Sequence, residues 1–244
     1  MALKAVIFDY GDTLVSTRMN WDRVKPEQML SLGHALGQDF PHLDLLRLGR
    51  DFLFLRSQAR LLALRSHIET PAVESLATAL ALQGQHGLDG DLLQKGVDAF
   101  FEPEEANYSV IVGIPEALQS LKEMGLRLAV LSNATCGKLV RRALDNHSLL
   151  KMFDQVMVSC ELSRRKPAPE AFEAVLESLQ VQPSESLMVG DLLRTDIAGA
   201  NLVGMKSILV DFFGDGTETN GGPPLPDAVV GYPQNLVKVI KSWL

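Results

Sequence analysis

Residues 4–15 read KAVIFDYGDTLV: a short β-branched and aromatic run, KAVIF, cut off by Asp9 and Gly11. An apolar run of that length without polar alternation predicts a strand buried on both faces. The same signature returns at 127–132 (RLAVLS), 155–159 (QVMVS), 186–190 (SLMVG) and 207–210 (SILV). Between these runs lie stretches with apolar side chains at i, i+3, i+4 spacing. The first is 114–124 (IPEALQSLKEM), with Pro115 placed for an opening turn and Gly125 for the stop; 168–180 and 194–204 follow. Strands alternating with helices of about a dozen residues predict an α/β fold, a Rossmann-like parallel sheet with helices on both faces.

One region breaks the alternation. From about 17 to 107 the patterns are helical, with Leu45, Leu46, Leu48, Phe52, Leu53, Leu55, Leu61, Leu62 and Leu64 too dense for a loop. Pro41, Pro71, Gly84, Gly87 and Pro103 divide it into four or five helices, expected to share a core of their own. The expected division is therefore a core of 1–16 and 108–244 with an all-helical insertion over 17–107. The chain leaves at 14–17 and returns near 108–113, so two adjacent strands should form the hinge. Gly214 to Pro226 reads as a loop, followed by a short strand at Val229–Val230 and a helix from about 234.

Composition narrows the function classes. Over 244 residues, 46% hydrophobic and 22% charged is a globular balance, which excludes a disordered tail or a Cys-rich scaffold. A net charge of -7 leaves no surplus to neutralise phosphates, so no nucleic-acid partner is expected. No apolar run approaches the ~20 residues that cross a bilayer. The N-terminal MALKAVIFDYGDTLV meets acids too early for a signal peptide. The two cysteines, Cys136 and Cys160, have no metal-like spacing, and a reducing cytoplasmic location follows as the expectation.

In an open parallel sheet, ligands sit beyond the carboxyl ends of the strands, so the polar residues there matter most. Asp9 ends the first strand; a carboxylate in that position can attack phosphorus, although Asp and Gly also make ordinary turns. Ser132 and Asn133 follow the 127–132 run and suit either a phosphate cradle or a helix N-cap. Lys166, in RRKPAP at 164–169, is placed to reach a phosphoryl oxygen or to sit in solvent. Asp191 and Asp196 bracket the turn after 186–190. Two carboxylates about 4 Å apart repel by about 4 kcal/mol at an effective dielectric of 20, a cost that Mg²⁺ removes. Alternatively, Asp191 turns the chain and Asp196 faces water. An acid, Ser-Asn, Lys-Pro and Gly-Asp with a second acid, each at a strand end and in this order, are hard to explain as four unrelated turns.

With VIFDYGDTLV at 6–15, LAVLSNAT at 128–135, SRRKPAPEAF at 163–172 and MVGDLLRTDIAGA at 188–200, the chain resembles the haloacid dehalogenase-like (HAD) hydrolase superfamily. The helical insertion is similar to the helical (C1) cap of its phosphatase-like branch. The resemblance implies a Mg²⁺-dependent phosphatase acting on a small phosphorylated metabolite through an aspartyl-phosphate on Asp9. It implies Asp9, the backbone carbonyl of Gly11 and Asp191 as metal ligands, with Asp196 close to the metal or reaching it through water. Ser132, Asn133 and Lys166 would hold the phosphoryl group, and Thr13 would support the first loop. A monomer or homodimer is expected.

One departure stands out. The family's phosphatases carry an acid two positions after the nucleophile; here that position is Gly11, and an acid stands one place later, at Asp12. Asp12 or a cap residue substitutes, or turnover is slow or confined to good leaving groups, or the protein only binds. A HAD dehalogenase is the other rival, since that branch also lacks the second acid, but it does not need Asp191. In the cap, Arg18, Trp21, Arg23, Arg56 and Arg60 are candidates to face the substrate, Arg being suited to anionic groups. Ordinary helix surface or packing is the simpler account of each.

Overall fold

The computed structural model describes residues 2–214 and 224–244. The chain opens with β1 (Ala5–Phe8) and β2 (Val15–Ser16), then runs through four helices: α1 (Trp21–Gly37), α2 (Leu45–Ser66), α3 (Ala72–Ala81) and α4 (Gly90–Glu105). It returns by β3 (Ser109–Val110), α5 (Ile114–Glu123), β4 (Arg127–Ser132), α6 (Gly137–Asn146), β5 (Gln155–Val158), the short α7 (Ser159–Leu162) and α8 (Pro169–Leu179). It finishes with β6 (Ser186–Gly190), a single π-helical turn at Leu193–Ile197, α9 (Ala198–Val203), β7 (Lys206–Val210), β8 (Ala228–Val230) and α10 (Pro233–Lys241). Of the 214–226 stretch read as a loop, residues 215–223 lie outside the described residues.

Six strands form one parallel sheet in the order β5-β4-β1-β6-β7-β8. All four residues of β1 are buried, as its unbroken apolar run requires. Alternate residues serve opposite faces. Val6, Phe8, Leu128, Val130, Leu187 and Val189 pack on the side of α5, α6 and α10; Ala5, Ile7, Ala129, Leu131 and Met188 pack against Phe172, Val175 and Leu176 of α8. The chain builds β4 and β5 on one side of β1 before crossing to β6, β7 and β8 on the other. Strand order therefore reverses beside β1, which puts the ligand crevice beyond the carboxyl ends of β1, β4 and β6.

The four inserted helices leave and return through β2 and β3, which pair antiparallel with Val15 opposite Val110 and Ser16 opposite Ser109. Asn20 and Asp44 cap α1 and α2 by accepting from the backbone N–H groups of Asp22 and Arg47. The inserted helices bury Leu32, Leu36, Leu48, Phe52, Leu76, Leu80, Val97 and Phe100, with Phe52 and Phe100 edge to face at 4.8 Å. This packing is not a separate core as the sequence suggested. It is continuous with the sheet's own apolar layer through Tyr10, Leu14, Tyr108 and Ile111. The leucine-dense α2 is a helix, but only one face is covered, and Leu46, Leu61, Leu62 and Leu64 are exposed.

A second attachment lies far from the hinge. The link 67–72 runs along the sheet domain, where Glu69 N–H donates to Ser163 O, Arg165 N–H to His67 O and Ala72 N–H to Thr135 O. Among the described residues, no helix is long and apolar enough to cross a membrane.

Candidate active site

Pairing places the end of β1 level with its neighbours, Phe8 lying opposite both Val130 and Val189, and Asp9 N–H donates to Val189 O at 2.8 Å. Asp9 thus emerges at the centre of the crevice. Lys166 comes from the 163–168 loop and is buried, with 1% of its side chain exposed. Its ammonium bridges Asp9 Oδ1 at 2.5 Å and Asp196 Oδ1 at 2.7 Å. Neither turn chemistry nor a solvated surface accounts for a buried ammonium held between two acids.

Asp196 is fully buried because the π-helical turn sends its side chain back under β6, where Oδ2 accepts from Leu192 N–H at 3.0 Å. The approach needs Gly190: a Cβ there would stand 2.3 Å from Asp196 Oδ2. Carboxylate oxygens of Asp9, Asp191 and Asp196 lie within 4.8 Å of one another. Asp191 Oδ1 is buried and finds no hydrogen-bond partner among the described residues. Three carboxylates and one ammonium leave two uncompensated negative charges, and hard oxygen donors with an orphaned carboxylate oxygen fit a divalent cation such as Mg²⁺.

The pKa shifts carry the same message. Burial pushes Asp9 up to about 6, with Asp196 adding and Lys166 opposing. Burial, then Asp9 and Asp196, push Asp191 up to about 8. Burial acts to lower Lys166, but Asp196 and Asp9 outweigh it and hold the ammonium above its usual range. A raised carboxylate keeps, in the folded state, a proton that the unfolded chain has released. Metal-free stability should therefore fall as pH rises from about 4 through 8, the window set by these two groups. The expected result in a melting experiment is a lower Tm at pH 8 than at pH 5.5, with Mg²⁺ raising Tm more at pH 8. Asp191→Asn should flatten the pH dependence and remove most of the Mg²⁺ increment. A Tm insensitive to both in the unaltered protein would contradict the charge count.

The other expected residues divide. Ser132 ends β4 and is buried, and Thr13 is buried with its hydroxyl unpartnered among the described residues. The Asn133 side chain is engaged with the backbone of Lys166. Its amide donates to Lys166 O at 2.9 Å and accepts from Lys166 N–H at 2.8 Å, so it clamps the backbone of the lysine. Asp12 sits at φ 50° and turns away, accepting from Thr17 N–H at 2.8 Å and Thr17 Oγ1 at 3.1 Å, with Arg18 Nε 3.6 Å off. Asp12 is thus held by Thr17, just past the end of β2. A Cβ on Gly11 would meet Thr17 Cγ2 at 3.2 Å, so the hinge also crowds that position.

Among the candidate insertion residues, Arg18 stacks on Phe213 at 3.9 Å, Arg23 pairs with Glu27 on the surface, and Trp21 and Arg60 are exposed. Arg56 alone of these is partly buried, its Nη2 3.5 Å from Thr135 Oγ1. The sequence did not single out Glu69. It is buried, accepts from Ser159 Oγ at 2.8 Å and lies 3.4 Å from Arg165, while Ser159 Oγ also accepts from Ala134 N–H. A lone Glu before Thr-Pro has no local signature, so only the packing of the link against the loop after β4 reveals it.

Residues 3–204 match the family model described as haloacid dehalogenase-like hydrolase. The ribulose-1,5-bisphosphate 5-phosphatase of Halopiger xanaduensis is 35% identical over 54% of this chain and 55% of its own length. The glyceraldehyde 3-phosphate phosphatase of Pyrococcus abyssi is 32% identical over 46% of this chain and 47% of its own. The chain thus spans about half the length of these curated relatives. A crystal structure of a 2-haloacid dehalogenase from Pseudomonas syringae pv. Tomato DC3000 superposes with a TM-score of 0.71 at 24% identity, covering 99% of this chain and 100% of that one, a likeness of fold.

Proposed function

We propose that this chain, which belongs to the haloacid dehalogenase-like hydrolase family, is a Mg²⁺-dependent phosphatase that hydrolyses a small phosphorylated metabolite through a covalent intermediate on Asp9. The observation that carries the reading is the cluster of Asp9, Asp191 and Asp196 around one buried lysine, with Asp191 Oδ1 unpartnered among the described residues. A hydrolase working without a cation has no use for the extra carboxylate of Asp191, whose repulsion it would have to bear. That separates the phosphatase reading from the dehalogenase reading. The phosphatase names of the two curated relatives point the same way.

Asp9, Asp191 and the Gly11 carbonyl would hold the cation, with Asp196 beside it. Bound there, Mg²⁺ supplies Lewis-acid stabilisation of charge on the phosphoryl oxygens. Lys166 holds Asp9 Oδ1 and orients the carboxylate, and its second oxygen attacks phosphorus as the ester bond breaks. Ser132 and Lys166 bind the equatorial oxygens, while Asn133 keeps Lys166 in place. The leaving oxygen takes its proton from water, because Gly11 offers none and Asp12 is turned away. Water then attacks the phosphorus of the aspartyl-phosphate, releasing phosphate and restoring Asp9. The missing acid forgoes a rate factor of ~10²–10⁴, so leaving groups of low pKa should be favoured.

The test is phosphate release from a panel of phosphate esters with Mg²⁺ and with EDTA. The expected result is release with Mg²⁺ that EDTA abolishes, faster for p-nitrophenyl phosphate than for alkyl esters. Release that EDTA leaves untouched, or Mg²⁺ binding without turnover on any ester, would overturn the proposal.

A further inference from the structure

Where the link between α2 and α3 meets the sheet domain, the insertion lodges a carboxylate. Glu69 keeps 3% of its side chain exposed, and Arg165, its ion-pair partner, 13%. One oxygen, Oε2, accepts from Ser159 Oγ at 2.8 Å and lies 3.4 Å from Arg165 Nη1. Ser159 Oγ accepts in turn from Ala134 N–H at 3.0 Å, one residue past Asn133. Arg165 directly precedes Lys166. The backbones follow the side chains: Ile68 and Arg164 form an antiparallel bridge, Glu69 N–H donates to Ser163 O and Arg165 N–H to His67 O. The chain turns into this contact through left-handed backbone at His67 (φ 55°) and Ser163 (φ 58°), which residues with a Cβ adopt when their surroundings hold them there. Glu69 thus joins two loops that the reaction needs, the one after β4 that carries Asn133 and the one that carries Lys166. Asn133 ties the same two loops by clamping the Lys166 backbone. A buried ion pair is a weak source of stability, because desolvation cancels much of its attraction. What it fixes well is direction, since a carboxylate shared by a hydroxyl and a guanidinium sets the spacing of both.

We propose that Glu69 is a positioning residue: by holding Ser159 and Arg165 it sets the Lys166 loop against the loop after β4, so that the Lys166 ammonium meets Asp9 in the placement the reaction needs. The proposal rests on the phosphatase reading above. Glu69 touches neither the substrate nor the reacting atoms and acts through Lys166. A residue of the helical insertion therefore prepares a step that the sheet domain performs.

The experiment measures kinetics on p-nitrophenyl phosphate with Mg²⁺, together with backbone hydrogen exchange, on the full chain. Glu69→Ala should lower kcat by about 10- to 100-fold with KM unchanged, the loss expected when a reacting group is misplaced by about 1 Å. Glu69→Gln still accepts from Ser159 but drops the charge beside Arg165; it should lose less, and it serves also if the Ala variant fails to fold. In a Lys166→Met background the same changes should cost little further kcat, because no lysine is left to place. A residue that only packs would cost as much in either background. Amides of 133–136 and 163–168 should exchange faster in the Glu69 variants, while those of β7 keep their protection. An unchanged kcat, or a loss that repeats in full in the Lys166→Met background, overturns the proposal. If no ester is hydrolysed, the phosphatase reading falls and exchange still judges Glu69: faster exchange in both loops upholds it as the residue that sets them, and equal protection in the unaltered protein and the variants rejects it.

Discussion

Asp9→Asn is expected to reduce Mg²⁺-dependent phosphate release by at least ~10³-fold, because an amide cannot serve as the attacking group. The same change should not weaken the fold. It removes one of three clustered carboxylates and leaves Lys166 paired with Asp196 at 2.7 Å, so the local charge moves from two uncompensated negatives to one. Loss of turnover with an unchanged or higher Tm in the metal-free protein is therefore the expected joint outcome. Turnover and melting measured on one preparation distinguish it from unfolding. A variant that keeps the unaltered rate would remove Asp9 from the chemistry.

Lys166→Met should do both kinds of damage. Lys166 is the buried partner of Asp9 and Asp196, and removing it strands two carboxylates next to Asp191. Breaking a buried pair from one side costs about 3–5 kcal/mol, since the partner charges stay without compensation. The loss should be largest in metal-free protein at pH 8. It should shrink at pH 5.5, where the raised carboxylates take up protons, and shrink again with Mg²⁺. Turnover should fall by about 10²- to 10³-fold, comparable to deleting one preorganised donor from a site where charge is transferred. Equal Tm losses at the two pH values would show that packing, rather than charge, is what Lys166 contributes.

These expectations differ in how far they were legible from residues alone. The runs KAVIF, RLAVLS and SLMVG predict their strands to within a residue or so, because an apolar run bounded by polar residues is an immediate consequence of burial on both sheet faces. Pro115 and Gly125 bracket α5 for equally local reasons, the glycine taking φ 80°. The 194–204 stretch was only half legible. Its helical period is real, but a π-helical turn opens it so that Asp196 can turn inward, and no propensity records that. The continuity of the two apolar layers was likewise hidden, since Tyr10 and Tyr108 look like any tyrosines flanking a hinge.

Asp9, Lys166, Asp191 and Asp196 stand out by position. Asp9 and Asp191 directly follow β1 and β6, Asp196 lies in the π-helical turn after β6, and Lys166 lies in the loop after α7. All are in connections that leave the carboxyl ends of strands whose pattern is visible along the chain. Order along the chain was enough for that, because a parallel sheet gathers all its carboxyl ends on one side. Where each side chain points was a matter for the tertiary structure. Register sets Asp9 beside Val189, the π-helical turn aims Asp196 at Lys166, Asn133 is taken up by the backbone of Lys166, and Thr17 draws Asp12 away. The stacking of Arg56 over three rings from two helices belongs to the same class. Periodicity reports how a residue meets its own segment; charge, direction and partnership depend on segments that are distant in sequence and adjacent only after folding.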